Sequence, residues 1–312
     1  MSASDELTAI AVYSPVPRLL LGESPLHRPS DNTLHFIDIF AKTLHIIIIS
    51  PSGYHSARTI KYEQEVCAIR FTTSEGKYLA VMRHALGLLD EADGSIEIIH
   101  EMGDEFAGCV FNDAEVDAKG RLWLGACDTA TFSGHCPVDH KPRGALYRYD
   151  APTNTLTLAH ESGLCLGNGI VFSSNNRSMW LNDTVGKKTL VYDFDIDGCS
   201  VSNMRVLKVW PLVEGLQGIW GPDGMSIDAE DNLYIPVFLN SEIIKISGAT
   251  GEILTQFKTG AKSPTDVLIL HDGTVVFTSA SLGTPEGTND GALWTLEAAG
   301  KVKGQGRRLV TL

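Results

Sequence analysis

A chain of 312 residues with 38 acidic and 25 basic side chains, a net charge of −13 and a pI near 5.2 is ill suited to nucleic acid. It is equally ill suited to anionic membrane surfaces, since both select basic patches. The length admits two domains or one large all-β domain, and either can bury a sizeable core.

Six cysteines, Cys67, Cys109, Cys127, Cys136, Cys165 and Cys199, form no Cys-x-x-Cys pair, which predicts free thiols in a reducing compartment. The start, Met1 to Leu7, is acidic and lacks the basic end and apolar centre of a signal peptide. The longest apolar run, Ile46 to Ile49, is far too short to span a bilayer. The expectation is a soluble cytoplasmic protein whose partners are small molecules, with neither nucleic acid nor membrane among them.

Helical periodicity is nearly absent, and short β-rich runs alternate with Gly, Asp, Asn and Ser along the whole chain. Six equivalent strands follow polar turns: Leu34–Asp38, Lys77–Val81, Arg121–Gly125, Ser178–Asn182, Asn232–Pro236 and Thr274–Thr278. Their starts are 43, 44, 57, 54 and 42 residues apart, the spacing of four-stranded propeller blades. Further strands are read at Gly144–Tyr149 and Thr155–Leu158, and at Glu242–Ile246 and Glu252–Phe257. Gly291–Leu296 repeats the first of these almost letter for letter. Asp93-Gly94, Asp197-Gly198 and Thr250-Gly251 supply hairpin turns. The predicted fold is all-β: one six-bladed β-propeller domain over residues 1–312, with four-stranded blades and a central metal site. The two long periods predict insertions at Asp128–Arg143 and Lys208–Pro222 that roof the centre. Ala9–Tyr13 and Arg308–Leu312 compete to close the ring.

One hairpin, Leu166 to Asp183, sets the pattern. Its Asn168 stands between two glycines at the mouth of a buried strand, where backbone can approach closely. Residues just before each first strand should converge on the channel: Gly22–Pro25, Cys67-Ala68, Phe111–Asp113, Gly167–Gly169, Gly221–Gly224 and Ser263–Asp266. Four of these six segments are read as offering a ligand oxygen, from Glu23, Asn112, Asn168 and Asp223. Taken singly, each is an ordinary turn residue. As a set at equivalent positions, two carboxylates and two amides with no nearby lysine call for a cation. All-oxygen ligation favours calcium, magnesium or manganese, with zinc and ferrous iron left open.

Gly22–His27, Leu34–Leu44, Phe111–Asp113, Gly167–Gly169 and Gly221–Asp228 together resemble the senescence marker protein (regucalcin) and gluconolactonase family, from about Leu20 to about Leu296. The resemblance implies a six-bladed propeller holding one divalent metal. It implies that Glu23, Asn168 and Asp223 are the metal ligands and that Asp223 doubles as general base. Asn112 would then bind substrate or complete the metal shell. Sugar-lactone members of the family typically carry an arginine two residues before this asparagine; here that position is Val110, which has no donor for hydroxyls. With Cys109, Phe111, Cys165 and Trp220 nearby, the mouth reads as apolar and the substrate as less polar than a sugar lactone.

Asp128 falls where the family has an acidic substrate-binding residue, and Trp220 and Phe132 read either as pocket wall or as ordinary loop packing. Asp183 reads as an acceptor that supports Asn168 or the metal, or as a strand-end turn residue. His135, Cys136 and His140 share one insertion but lack the fourth partner of a zinc site. There is no Gly-x-Ser-x-Gly elbow and no phosphate-cradling glycine loop. The leading functional expectation is a divalent-metal-dependent lactone or ester hydrolase, with Asp223 and Asn112 catalytic and Asn112, Val110, Asp128 and Trp220 binding substrate. The alternatives are a non-hydrolytic relative, such as the fungal hetero-Diels-Alder cyclases that resemble this family, and a calcium-binding regulatory protein.

Overall fold

The structure, a computed structural model, describes residues 9–15, 17–136, 139–211, 219–282, 284, 288–305 and 308–312. Six antiparallel sheets follow one another around a ring. Blade 1 contains Gly22–Arg28, Thr33–Asp38, Thr43–Ser50 and Gly53–Lys61. Blade 2 contains Val66–Phe71, Lys77–Met82, Ala85–Asp90 and Ile96–Glu101. Cys109–Val116, Leu122–Asp128, Gly144–Asp150 and Thr155–Leu164 make blade 3. Gly167–Phe172, Ser178–Asp183, Lys188–Asp195 and Ser200–Val209 make blade 4. In blade 5, Gly221–Pro222 and Ser226–Ile227 share the innermost position, ahead of Asn232–Phe238, Glu242–Ser247 and Ile253–Lys258. Pro264–Ile269, Val275–Ser279 and Leu293–Thr295 begin blade 6.

The N-terminal run, not the C-terminal one, closes the ring. Ile10–Tyr13 is the outer strand of blade 6, with Ile10 opposite Thr295 and Tyr13 opposite Leu293. A propeller closed by its two chain ends leaves no unpaired inner edge. Burial falls from the channel outward: every residue of Leu122–Asp128 is buried, whereas in Ile253–Lys258 only Phe257 is. The second strands therefore read clearly in sequence, because each is apolar on both faces. Adjacent blades share cores, as where Ala68 and Leu79 of blade 2 pack with Phe111, Val116 and Tyr147 of blade 3.

The inner strands are not straight. Register shifts fall between Glu23 and Leu26, Val66 and Ala68, Phe111 and Ala114, Asn168 and Ile170, and Pro264 and Val267. In blade 5 the two short inner strands leave residues 223–225 between them. A bulge bends its strand and re-aims a side chain, and here six bulges or breaks point toward one channel end.

The C-terminal tail serves the opposite end. Gly273 accepts from Val302, Lys303 accepts from Ala229, Val310 donates to Phe71, and Thr311 donates to Gly120, all through backbone atoms at 2.7–3.0 Å. These partners are in blades 6, 5, 2 and 3, so the tail runs under the ring as a strap. None of the six cysteines is in a disulfide. Among the described residues no helix is long and apolar enough to cross a membrane.

Candidate metal and active site

Each site residue is presented by a bulge and held by a neighbouring blade. In blade 1, Glu23 precedes Ser24, whose φ of 56° is uncommon for a residue with a side chain. The buried Ser24 hydroxyl accepts from Ile69 N at 2.9 Å and donates to Ile69 O at 3.0 Å, tying the bend to blade 2. In blade 3, Asn112 Nδ2 donates to Gly167 O of blade 4 at 3.2 Å. In blade 4, Asn168 Nδ2 donates to Asp223 Oδ1 of blade 5 and, at 3.3 Å, to Thr184 Oγ1. Gly169 has a positive φ of 40°, and a Cβ there would lie 2.6 Å from Asp223 O. Only glycine lets these two strands come so close. Asn182 Nδ2 holds the Asp223 carbonyl at 2.8 Å and is itself held by Thr189 Oγ1 at 2.7 Å.

The structure also brings in three groups that were not singled out from the sequence. Asp266 of blade 6 packs over Gly224, where a Cβ would meet its Oδ1 at 2.2 Å. Asp113 Oδ1 accepts from Ala114 N at 2.7 Å and pairs with Arg70 at 3.3 Å. Arg70, 1% exposed, also donates to Ser24 Oγ at 2.7 Å and lies 3.6 Å from Glu115. The sequence reading set these carboxylates beside no lysine; the structure supplies another resident cation, the Arg70 guanidinium. Glu23, Asp113, Asp223 and Asp266, with Glu115 behind them, set five carboxylates against the one guanidinium of Arg70, a formal charge of −4.

Electrostatics follow from that crowding. Burial, then Asp223, Asp266 and Asp113, push the Glu23 carboxyl well above its usual range. Asp223 is raised by burial and Asp113, against the Asn168 hydrogen bond. Burial and Asp113 raise Asp266, with Arg70 opposing. Like charges in a low-dielectric channel favour protons or a cation.

The oxygen-rich donor set of Glu23, Asn112, Asn168 and Asp223 fits a hard divalent ion. Among the described residues no group of three His, Cys, Asp or Glu side chains forms a metal cage by itself, so a cation here would need the amides. Asn168 now turns its NH₂ to Asp223, and offering its oxygen would mean turning the amide over.

The remaining predicted residues divide into buried apolar packing and scaffold. Val110 is buried with Cys127, Cys165, Leu166 and Val185 in a small apolar cluster beside Asn112. Trp220 is also buried. The Lys187 ammonium lies 4.1 Å from the centre of its ring and donates to its carbonyl, and burial brings that lysine down to about 8. Asp128 departs from the expectation of a substrate ligand. Fully buried, it accepts from Ala130 N at 2.9 Å, Arg143 N at 2.9 Å and His140 Nε2 at 2.8 Å, so it organises the described part of the insertion that follows it. His140 is thereby committed as well. Asp183 accepts from the backbone of Leu166 at 2.9 Å and Gly186 at 3.0 Å, which makes it a turn organiser. Of the second insertion, residues 212–218 lie outside the described residues.

Residues 21–281 match the family model described as the SMP-30/Gluconolactonase/LRE-like region. A Bacillus subtilis (strain 168) protein named provisionally as the sugar lactone lactonase YvrE is 27% identical over 236 residues, 76% of this chain and 74% of its own. A solved luciferin-regenerating enzyme is 26% identical, with a TM-score of 0.81 over 97% of this chain and all of that one. The regucalcin from Agrobacterium tumefaciens str. C58, titled a calcium-binding protein, shares the fold at 19% identity, with a TM-score of 0.80 over 97% of this chain and 98% of that one. The chain belongs to the SMP-30/gluconolactonase/LRE-like family.

Proposed function

We propose that this protein is a divalent-metal-dependent hydrolase of lactones or related esters, with Glu23, Asn168 and Asp223 holding the ion. The observation that carries the reading is the ring of buried and half-buried polar groups, in which Asn112 reaches Gly167, Asn168 reaches Asp223, and Glu23 feels the Asp223 charge. A bound divalent ion supplies Lewis acidity for the ester carbonyl and neutralises the carboxylates. Asp223 is the general base: its free oxygen takes a proton from the attacking water as the C–O bond forms. The ring C–O bond then breaks, and that proton passes to the leaving alkoxide, giving the hydroxy acid. Asn112 orients the substrate through the amide atoms not used on Gly167. The Val110, Cys127, Cys165 and Leu166 wall favours a substrate with an apolar portion, less polar than a sugar lactone.

The test is removal of metal by a chelator, then add-back of calcium, magnesium, manganese or zinc singly, against a panel of sugar lactones, aliphatic lactones and esters. Turnover lost on chelation and restored by one ion supports hydrolysis. The same apolar wall favours a second reading, a non-hydrolytic cyclase, and turnover of an apolar substrate that resists chelation would select it. Ion binding without turnover of any panel member would leave a calcium-binding role.

A further inference from the structure

Beside the apolar wall stands a cation whose donors are largely unused. Arg83 follows the strand Lys77–Met82 of blade 2, and its carbonyl accepts from Phe111 N at 2.9 Å. It is therefore stitched to the residue between Val110 and Asn112. Its guanidinium lies 5.7 Å from the ring centre of Phe132, in the insertion that follows Asp128. Its one described ion partner is Glu65, loose at 3.6 Å and itself 40% exposed. Among the described residues the guanidinium makes no side-chain hydrogen bond within ordinary distance, although it is only 25% exposed. Five donors in a rigid fork at a three-quarters-buried position suit a ligand that brings acceptors.

Two buried thiols feel this charge. Burial raises Cys67 to about 11, and Arg83 is the main opposing influence, while Glu23 and Asp113 also act on that thiol. Arg83 likewise opposes the burial-driven rise at Cys127. Cys127 pairs in register with Val110 and reaches Gly167 O at 3.8 Å, the carbonyl that Asn112 also binds. Arg83 is thus tied through Phe111 to the strand that carries Val110 and Asn112. Outward from Arg83, to Ile98 and Glu101 on the outermost strand of blade 2, runs an open cleft of about 450 Å³ lined also by Gln64, Glu65, Met82 and Met102, with room for a substituent longer than a lactone ring.

We infer that Arg83 is a specificity-determining residue: from blade 2 it binds the oxygen acceptors of the substrate's polar end, hydroxyl or carboxylate, that Val110 in blade 3 cannot. The substrate class is then one-sided, a lactone or ester with an apolar flank toward Val110 and Leu166 and an oxygen-bearing substituent toward Arg83 and the cleft. Phe132, stacked on the guanidinium, holds the fork in line. This inference rests on the hydrolase reading for its reaction but not for its ligand chemistry.

The experiment compares metal-loaded wild type with Arg83→Met and Arg83→Lys on three lactones of one ring size: aliphatic, hydroxylated and carboxylate-bearing. Arg83→Met should lower the ratio of kcat/KM for each substituted lactone to that for the aliphatic one by ~10- to 100-fold, the equivalent of one charged hydrogen bond. The change should lie in KM rather than kcat. Arg83→Lys should recover the carboxylate-bearing substrate more than the hydroxylated one, because a point charge replaces a fork. Thermal melts establish that both variants fold. An unchanged ratio, or equal losses on all three lactones, overturns the assignment. If wild type hydrolyses none of them, the hydrolase reading fails and Arg83 is judged by binding of the corresponding open-chain hydroxy acids and diacids. Thermal stabilisation by these acids that Arg83→Met abolishes supports the inference, and its absence in wild type, or its persistence in the variant, overturns it.

Discussion

The two ends of the channel are built from the same inner strands on opposite principles. At the upper end every inner strand is bulged or broken, and the side chains turned inward include Glu23, Asp223 and Asp266, whose carboxyls burial and mutual repulsion push well above the usual range. At the lower end the strands pair regularly, and the tail bonds across the hairpin turns with Val310 buried among Val116, Leu122 and Leu79. Stability is concentrated below and strained chemistry above. A site of like charges persists only where its surroundings over-determine it.

The comparison breaks most sharply if one substitution is made at each end. Asp223→Asn should cost hydrolysis on the order of 10³-fold, more than the 10–100-fold typical of residues that only support a ligand. The ion-free protein should nevertheless melt no lower, because a repelling charge has been removed. Kinetics and melts with and without divalent ion read both quantities, and a variant with full metal-dependent turnover would remove Asp223 from the site. Val310→Asp should do the reverse. A carboxylate placed in that apolar cluster should destabilise by about 3–4 kcal/mol, while turnover per folded molecule stays at the wild-type level. Urea unfolding is the check, and a change below about 1 kcal/mol would mean that the strap is not integral to the fold.

Legibility followed the same division. The second strands could be read because burial on both faces makes them continuous apolar runs, as in Leu122–Ala126. Glu23, Asn168 and Asp223 could be read because they recur beside Gly or Pro at equivalent points of a repeat. Asp113 and Asp266 stood in those same segments, but adjacency does not say which of two polar neighbours a bulge turns inward. Arg70 carried no local signal at all. It lies in an ordinary strand, and only the closing of blade 2 against blade 3 brings it to Asp113. Asp128 shows the converse, since an acidic residue in the right loop proved to be tied up by His140 and Arg143. Both chain ends were β-rich, and what separated them was register with Leu293–Thr295, a property of the partner strand.

At the upper end, Val110→Arg sharpens the division between the apolar wall and the polar roof. A guanidinium beside Asn112 should shift the ratio of kcat/KM for a hydroxylated over an aliphatic lactone about tenfold, or roughly 1.4 kcal/mol. Part of that shift would be lost aliphatic activity, since Val110 packs against Cys127 and Leu166. An unchanged ratio in a folded, metal-binding variant would take Val110 out of the pocket wall.

The smallest expected effect is a pH dependence. Glu23, Asp223 and Asp266 have folded-state values above those of an unfolded chain. Folding therefore takes up protons as pH rises above the ordinary carboxylate range, about 4, and these groups make the ion-free protein less stable with rising pH. Buried His35 and His45 act the other way. Burial lowers both to about 4, so their contribution is present above the ordinary histidine range of about 6.5 and fades as pH falls toward 4. A single melting curve against pH mixes the two. The difference between melts with and without saturating divalent ion does not, because the histidines are unchanged by the ion while the carboxylates must be ionised to bind it. That difference should be smallest near pH 5 and grow toward pH 8, by about 1 kcal/mol or more for each carboxylate proton displaced. An ion-induced gain that is flat across this range would mean that the ion binds elsewhere than among Glu23, Asn168 and Asp223.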